Sequence, residues 1–208
     1  MAEPMKVTVV SDYICPWCYI ASRRVAQFER EFEVRVEWWP FELHPETPPE
    51  GRHVDEVLSR KGLGEAYRQN LREQAAAAGV AVSNRWLANS HRALELAEFA
   101  RDRGAFATAH EALFEAYFAE GRNIGEMAVL LQIAQACGLD PDEFGFECLV
   151  GRYAELIEKT TGLARSKGFG STPTIIFADR MLVPGAQDYA VYEDVLTRLG
   201  AVRRTAEA

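Results

Sequence analysis

A pair of cysteines with two residues between them can pass electrons to or from a disulfide without outside help. Cys15 and Cys18, in Cys15-Pro16-Trp17-Cys18, form such a pair. Disulfide exchange needs one thiolate to attack and a second thiol to release the product. Cysteines three apart on a helix face the same side, so a short-range disulfide needs little backbone movement. Pro16 suits a first helical turn, because its missing N–H would have no partner there. The helix therefore begins at the motif. Cys15 then lies by the positive end of the helix dipole, which favours its thiolate and makes it the attacking sulfur. Cys18, one turn inside, becomes the resolving thiol. A zinc ribbon would need a second close pair, and Cys137 and Cys148 are too far apart in the chain to be one. A c-type haem site would need His after the second cysteine, where Tyr19 stands. A zinc site borrowing His44 or His91 is the remaining metal alternative.

The elements around the motif arrive in the order that redox chemistry calls for. Residues 6–10 are short and β-branched, a buried strand. Ile14, Cys18, Ala21, Val25, Phe28 and Phe32 then recur at helical spacings, one apolar face. Residues 34–39 read as a second strand, and 40–49 as a proline-rich loop. From Gly51 to Lys167 the reading is helical throughout, punctuated by glycines, with Asn89 or Ser90 as a cap. Residues 174–177 and 180–183 are two more strands with Asp179 at their turn. Asp188 is placed to cap a last helix through Val191, Val195 and Leu199. Arg203, Arg204 and the residues after them read as a frayed end. This is an α/β core, residues 1–50 and 168–208, interrupted by an all-helical insertion over 51–167.

The composition bounds the function classes. The chain has 208 residues, 48% hydrophobic and 26% charged, enough for a real core without disulfide staples. A net charge of −8 argues against a nucleic-acid partner gripped by bulk charge. No apolar run approaches a membrane span. Met1-Ala2-Glu3-Pro4-Met5-Lys6 shows no basic segment leading into an apolar one, so the expected compartment is the reducing cytoplasm. The expected partners are protein or low-molecular-weight thiols and disulfides, with no metal or organic cofactor and a monomer or weak homodimer.

At this point the chain resembles the thioredoxin-fold superfamily and, within it, the DsbA-like thiol oxidoreductases of the FrnE type. The resemblance lies in Ser11-Asp12-Tyr13-Ile14-Cys15-Pro16-Trp17-Cys18-Tyr19 and Trp39-Pro40-Phe41-Glu42-Leu43-His44-Pro45. It continues in Asn89-Ser90-His91-Arg92-Ala93-Leu94, Glu111-Ala112-Leu113-Phe114-Glu115-Ala116-Tyr117-Phe118 and Gly185-Ala186-Gln187. It implies a thioredoxin fold with an all-helical domain inserted between the second and third strands. It also implies that Pro173 is a cis-proline beside the redox pair, with Thr172 presenting backbone polar groups to substrate. Relatives of this type often carry Val before that proline, so Thr172 bears on substrate preference. A related branch, similar to the kappa-class glutathione transferases and 2-hydroxychromene-2-carboxylate isomerases, typically has Ser where Cys15 stands and uses glutathione.

The resulting site is Cys15, Cys18 and Pro173 for chemistry, with Pro16, Trp17 and Thr172 against substrate. The leading function is a dithiol–disulfide oxidoreductase. The alternatives are a glutathione-dependent isomerase or transferase for small aromatics, and a thiol-bearing binding or chaperone module. Glutathione also enters the first reading as a co-substrate. Asp12 is read equally as a turn former and as a carboxylate that takes a proton from Cys18 or repels the thiolate. Glu37 and Glu42 are weaker candidates for the proton role. Asn89 is a helix cap and a wall of the groove, and His91 a surface histidine. Trp38 and Trp39 occupy opposite faces of a strand. Trp17 is expected to be exposed to substrate, and Cys137 and Cys148 to act as small hydrophobes.

Overall fold

The computed structural model describes residues 3–205. Met1 and Ala2 of the N-terminal reading, and the last three residues of the expected frayed end, lie outside them. The chain runs β1 (Met5–Ser11), α1 (Pro16–Glu31), β2 (Val34–Pro40), β3 (Arg52–His53), α2 (Val54–Arg60) and α3 (Glu65–Ala77). It continues as β4 (Trp86–Leu87), α4 (His91–Asp102), α5 (Phe106–Phe114), α6 (Met127–Ala136), α7 (Pro141–Leu149) and α8 (Ala154–Ser166). It closes with β5 (Thr174–Phe177), β6 (Met181–Pro184) and α9 (Tyr189–Arg198). A five-residue π-helical turn, Glu115–Ala119, extends α5.

The four long strands form one sheet in the order β2-β1-β5-β6. β1 and β2 run parallel and in register from Met5↔Val34 to Ser11↔Pro40. β5 lies antiparallel on the other side of β1, and β6 antiparallel to β5. The β-branched run is therefore the inner strand: Val7, Val9 and Val10 are fully buried. Parallel neighbours need a crossover, and α1 supplies it. Its apolar stripe, Cys18, Ala21, Val25 and Phe28, faces the sheet with no exposure. Phe28, Phe177 and Tyr192 pack ring against ring there.

The block between β2 and β5 is helical apart from the β3–β4 ladder, two residues on each strand. Gly51 lets this ladder close: its φ is +79° and a Cβ would sit 2.8 Å from the Leu87 carbonyl oxygen. The helices wrap a second core around Phe99, Leu113, Phe114, Leu130 and Ile157. That core reaches back to Tyr13, Ile14, Cys15 and Cys18, so both thiols sit where the two cores meet.

Three local expectations change. Val191 is 40% exposed, and the buried stripe of α9 is Tyr192, Val195 and Leu196. Tyr192 sets that phase, because its hydroxyl accepts from Gln187 N–H and donates to the Gly185 carbonyl. Asp188 stands at the N-cap of α9, but its side chain makes no cap and lies 3.4 Å from Arg24. Nor do Arg203 and Arg204 fray. Arg204 N–H donates to the Glu31 carbonyl at 2.8 Å, and the Arg203 guanidinium lies over the Phe32 ring.

Phe28 fills the space between α1 and the sheet, so Phe28→Ala leaves a cavity costing about 3–5 kcal/mol. Urea unfolding is expected to show a midpoint lowered by that cost divided by the slope, with the slope itself unchanged.

Candidate active site

Cys15 is the N-cap of α1, with extended φ and ψ of −91° and 113°, and Pro16 is the first helical residue. Its carbonyl accepts from the N–H groups of Cys18 and Tyr19, so the helix begins at the sulfur-bearing residue. A tight turn before it, closed by Cys15 N–H to the Asp12 carbonyl at 3.2 Å, aims the side chain at the start of β5. There the Thr172–Pro173 peptide is cis. The Cys15 thiol donates to the Thr172 carbonyl at 3.4 Å. Sequence positions 15, 18, 172 and 173 are thus brought together. Pro16, Trp17 and Thr172 line the same cavity as Cys15.

The two thiols, unlinked here, are held unequally. Donation from the Cys18 thiol pulls the Cys15 pKa below the ordinary thiol value. Burial opposes this, while the Thr172 hydroxyl and the Cys18 backbone N–H add to it. That hydroxyl is buried and has no hydrogen-bond partner, so it is available to turn toward the sulfur when Cys15 ionises. Cys18 moves the other way, well upward, because burial and then the Cys15 sulfur penalise its charge. Cys15 is 4% exposed and Cys18 not at all.

Asp12 does two of the things expected of it. It forms the turn, its carboxylate accepting from Ile14 N–H at 3.3 Å and Leu43 N–H at 2.7 Å. Its charge also opposes the Cys15 thiolate. Burial raises its pKa to about 7, held down in part by Leu43, Ser90 and Ile14. Glu37 sits apart, paired with Arg35 and Lys6. Glu42 is buried and pairs with His91 at 3.2 Å, so His91 is half-buried and not the surface histidine expected. Ser90 is the N-cap of α4 without a side-chain cap bond, and Asn89 bonds His91 N–H and the Thr47 carbonyl instead.

Trp17 is half-buried rather than freely exposed. Its indole N–H donates to the Tyr67 hydroxyl at 3.0 Å, and the two rings meet edge to face. Trp38 and Trp39 do take opposite faces, Trp38 on the His110 ring and Trp39 against the small cluster of Val10, Phe41 and Ala164. Cys137 and Cys148 are partly buried against the helical core, and burial pushes the Cys148 thiol to about 12. Among the described residues no group of three His, Cys, Asp or Glu side chains is placed to hold a metal ion.

Two residues near the site had no sequence signal. His110 is 2.9 Å from the Tyr13 hydroxyl and ringed by Trp38, Phe106 and Phe114. Burial, then Arg101 and Arg23, drive its pKa to about 3, so it stays neutral. Arg24 lies on the buried face of α1, donating to the carbonyls of Ala186 and Gln187 and to Gln74 of α3. It ties the redox helix to the segment between β6 and α9 and to α3.

A sheet crossed by a helix that starts on a dithiol, facing a cis-proline, defines a thioredoxin-like redox domain. The chain belongs to the family described as DSBA-like thioredoxin domain, which matches residues 6–197, a family of thiol-disulfide oxidoreductases. The uncharacterized protein YwbO of Bacillus subtilis is 26% identical over 196 residues, covering 92% of this chain and 95% of its own. A probable DsbA oxidoreductase from Streptomyces coelicolor superposes with a TM-score of 0.85 at 28% identity, over 98% of this chain and 93% of that one. A 2-hydroxychromene-2-carboxylate isomerase shares the fold, with a TM-score of 0.75 at 17% identity over 94% and 96%.

The buried carboxyl gives a pH signature. The folded pKa of Asp12, about 7, lies above its ordinary 3.8. Stability from the protonated form is complete below about pH 4 and lost as pH rises through about 7. Relative to Asp12→Asn, wild type is therefore expected to lose a few kcal/mol between pH 5 and pH 8, about 1.4 per pKa unit. Urea midpoints of the two proteins across that range measure it.

Proposed function

We propose that this protein is a dithiol–disulfide oxidoreductase in which Cys15 attacks and Cys18 resolves. The observation that carries this reading is the placement of the two thiols: Cys15 at the N-terminus of α1, 3.4 Å from the Thr172 carbonyl, and Cys18 one turn inside with no exposure, an arrangement that moves their pKa values in opposite directions. A lowered pKa makes Cys15 the more readily ionised nucleophile, while a raised one keeps the second thiol protonated until the mixed disulfide forms. Once Cys15 is disulfide-linked it no longer penalises a charge on Cys18, and Cys18 attacks the Cys15 sulfur. Pro173 and Thr172 form the wall where the substrate sulfur meets Cys15, with Pro16 and Trp17 on its other side. The exchange needs no metal or organic cofactor.

The direction proposed is reduction or isomerisation in a reducing cytoplasm. The potential follows how strongly the reduced thiolate is stabilised. At this site burial and the Asp12 charge both work against the thiolate. Pro16 and Trp17 add no charge to help it. Among the described residues, no helix is long and apolar enough to cross a membrane.

A second reading, a glutathione-dependent isomerase or transferase for small aromatics, has one observation in its favour: the cavity over Cys15 is largely apolar and sized for a small molecule. The two are separated with Cys18→Ser. The oxidoreductase reading expects this variant to accumulate mixed disulfides with substrate while losing insulin reduction. Retained turnover of an aromatic substrate with glutathione would favour the second reading. Equilibration of the wild-type pair against glutathione buffers is expected to give a potential well below the about −120 mV of strongly oxidising DsbA. A value at that extreme would reverse the proposed direction.

A further inference from the structure

The cavity over Cys15 has a volume of about 460 Å³, within the roughly 300–1,000 Å³ of small-molecule sites. Its walls are apolar, with Val54, Val57 and Leu58 of α2, Leu71 of α3 and Leu87 of β4. Its charged lining is of one sign. Lys61, Arg68 and Arg72 contribute to it, and no Asp or Glu does. This is a basic mouth on a chain of net charge −8. Two of these cations are already engaged, Arg68 with Asp55 at 2.7 Å and Arg72 with Glu65 at 2.5 Å. Lys61 is different. Its ammonium donates to His44 Nε2 at 3.1 Å, and His44 Nδ1 meets Glu46 at 3.0 Å. Among the described residues Lys61 has no carboxylate in ion-pair range.

Resting on the oxidoreductase reading, we propose that the site takes a low-molecular-weight disulfide with an apolar, ring-sized body and a carboxylate that binds at Lys61. Size favours a small molecule, because Cys15 is only 4% exposed while the cavity it lines has room for a ring-sized body. The charge pattern selects the anion, and one uncommitted lysine suits a carboxylate better than a dianionic phosphate, which calls for several free cations.

The step balances as follows. The Cys15 thiolate attacks one sulfur of R–S–S–R, that bond breaks, and a Cys15–S–S–R bond forms as RS⁻ leaves. RS⁻ takes the Cys18 proton. The Cys18 thiolate then attacks the Cys15 sulfur, forming the Cys15–Cys18 disulfide and releasing the second RS⁻ to solvent. Two electrons pass from the dithiol to the substrate, and an external dithiol such as dithiothreitol restores the enzyme.

The test compares two aromatic disulfides, dianionic dithiobis(nitrobenzoate) and neutral dithiodipyridine. Each rate with the reduced protein is divided by its rate with free dithiothreitol. At low salt the anionic probe is expected to be favoured in wild type. Lys61→Glu is expected to lower the anionic-to-neutral ratio by about fivefold, and added salt to shrink that change. Lys159→Glu, an exposed change of equal charge outside the cavity, is expected to leave the ratio alone. An unchanged ratio in Lys61→Glu, or an equal fall in both lysine variants, overturns the proposal. So does normalised reduction of insulin faster than of either probe, although the oxidoreductase reading then stands. Failure of the pair to reduce any disulfide sinks the oxidoreductase reading itself.

Discussion

Ionising a sulfur inside a protein forfeits its hydration, and the site is arranged around that loss. Cys15 lies almost wholly out of water, where burial alone would raise its pKa. What reverses the sign is a set of donors: the Cys18 thiol, the Thr172 hydroxyl and the Cys18 backbone N–H. They come from two constraints of the fold. The start of α1 brings Cys18 under Cys15, and the sheet register brings residue 172 opposite both. The packing that hides the pair from solvent is then also what makes its two thiols unequal, because Cys18 has the same burial and, in the Cys15 sulfur, a charge that works against its own.

The helical insertion contributes most to what reaches that sulfur. α2 and α3 wall the cavity, Tyr67 holds the Trp17 indole, and Gln74 reaches the Arg24 guanidinium. Asp12 joins the loop after β2 to the redox pair, since its carboxylate holds the backbone of Leu43 while its charge acts on Cys15. A proton on Asp12 thus bears on both that loop and the thiol chemistry. A basic cavity mouth on a chain of net charge −8 concentrates positive charge near the sulfur.

Much of this was legible in the sequence. The dithiol, the helix it opens, the four strands and the helical block all follow from local spacing and residue type. Trp38 and Trp39 fell on opposite faces for the same reason. Thr172 and Pro173 were placed by resemblance, not by pattern. What could not be read depends on contacts between distant residues. The β3–β4 ladder is only two residues long on each strand. His91 meets Glu42, His110 meets Tyr13, and Trp17 meets Tyr67 only once the chain has closed. The C-terminal arginines looked frayed because their partners, the Phe32 ring and the Glu31 carbonyl, lie at the far end of the chain.

The proposed exchange rests on Cys15 ionising below the ordinary thiol range although it is buried. A pH titration of the ultraviolet thiolate band in the reduced protein tests it most directly. The account expects one thiolate per chain to titrate below the ordinary thiol range, to vanish in Cys15→Ser, and to shift upward in Cys18→Ala, where the largest donor is gone. A band that titrates at or above the ordinary thiol value, or that persists in Cys15→Ser, would contradict it.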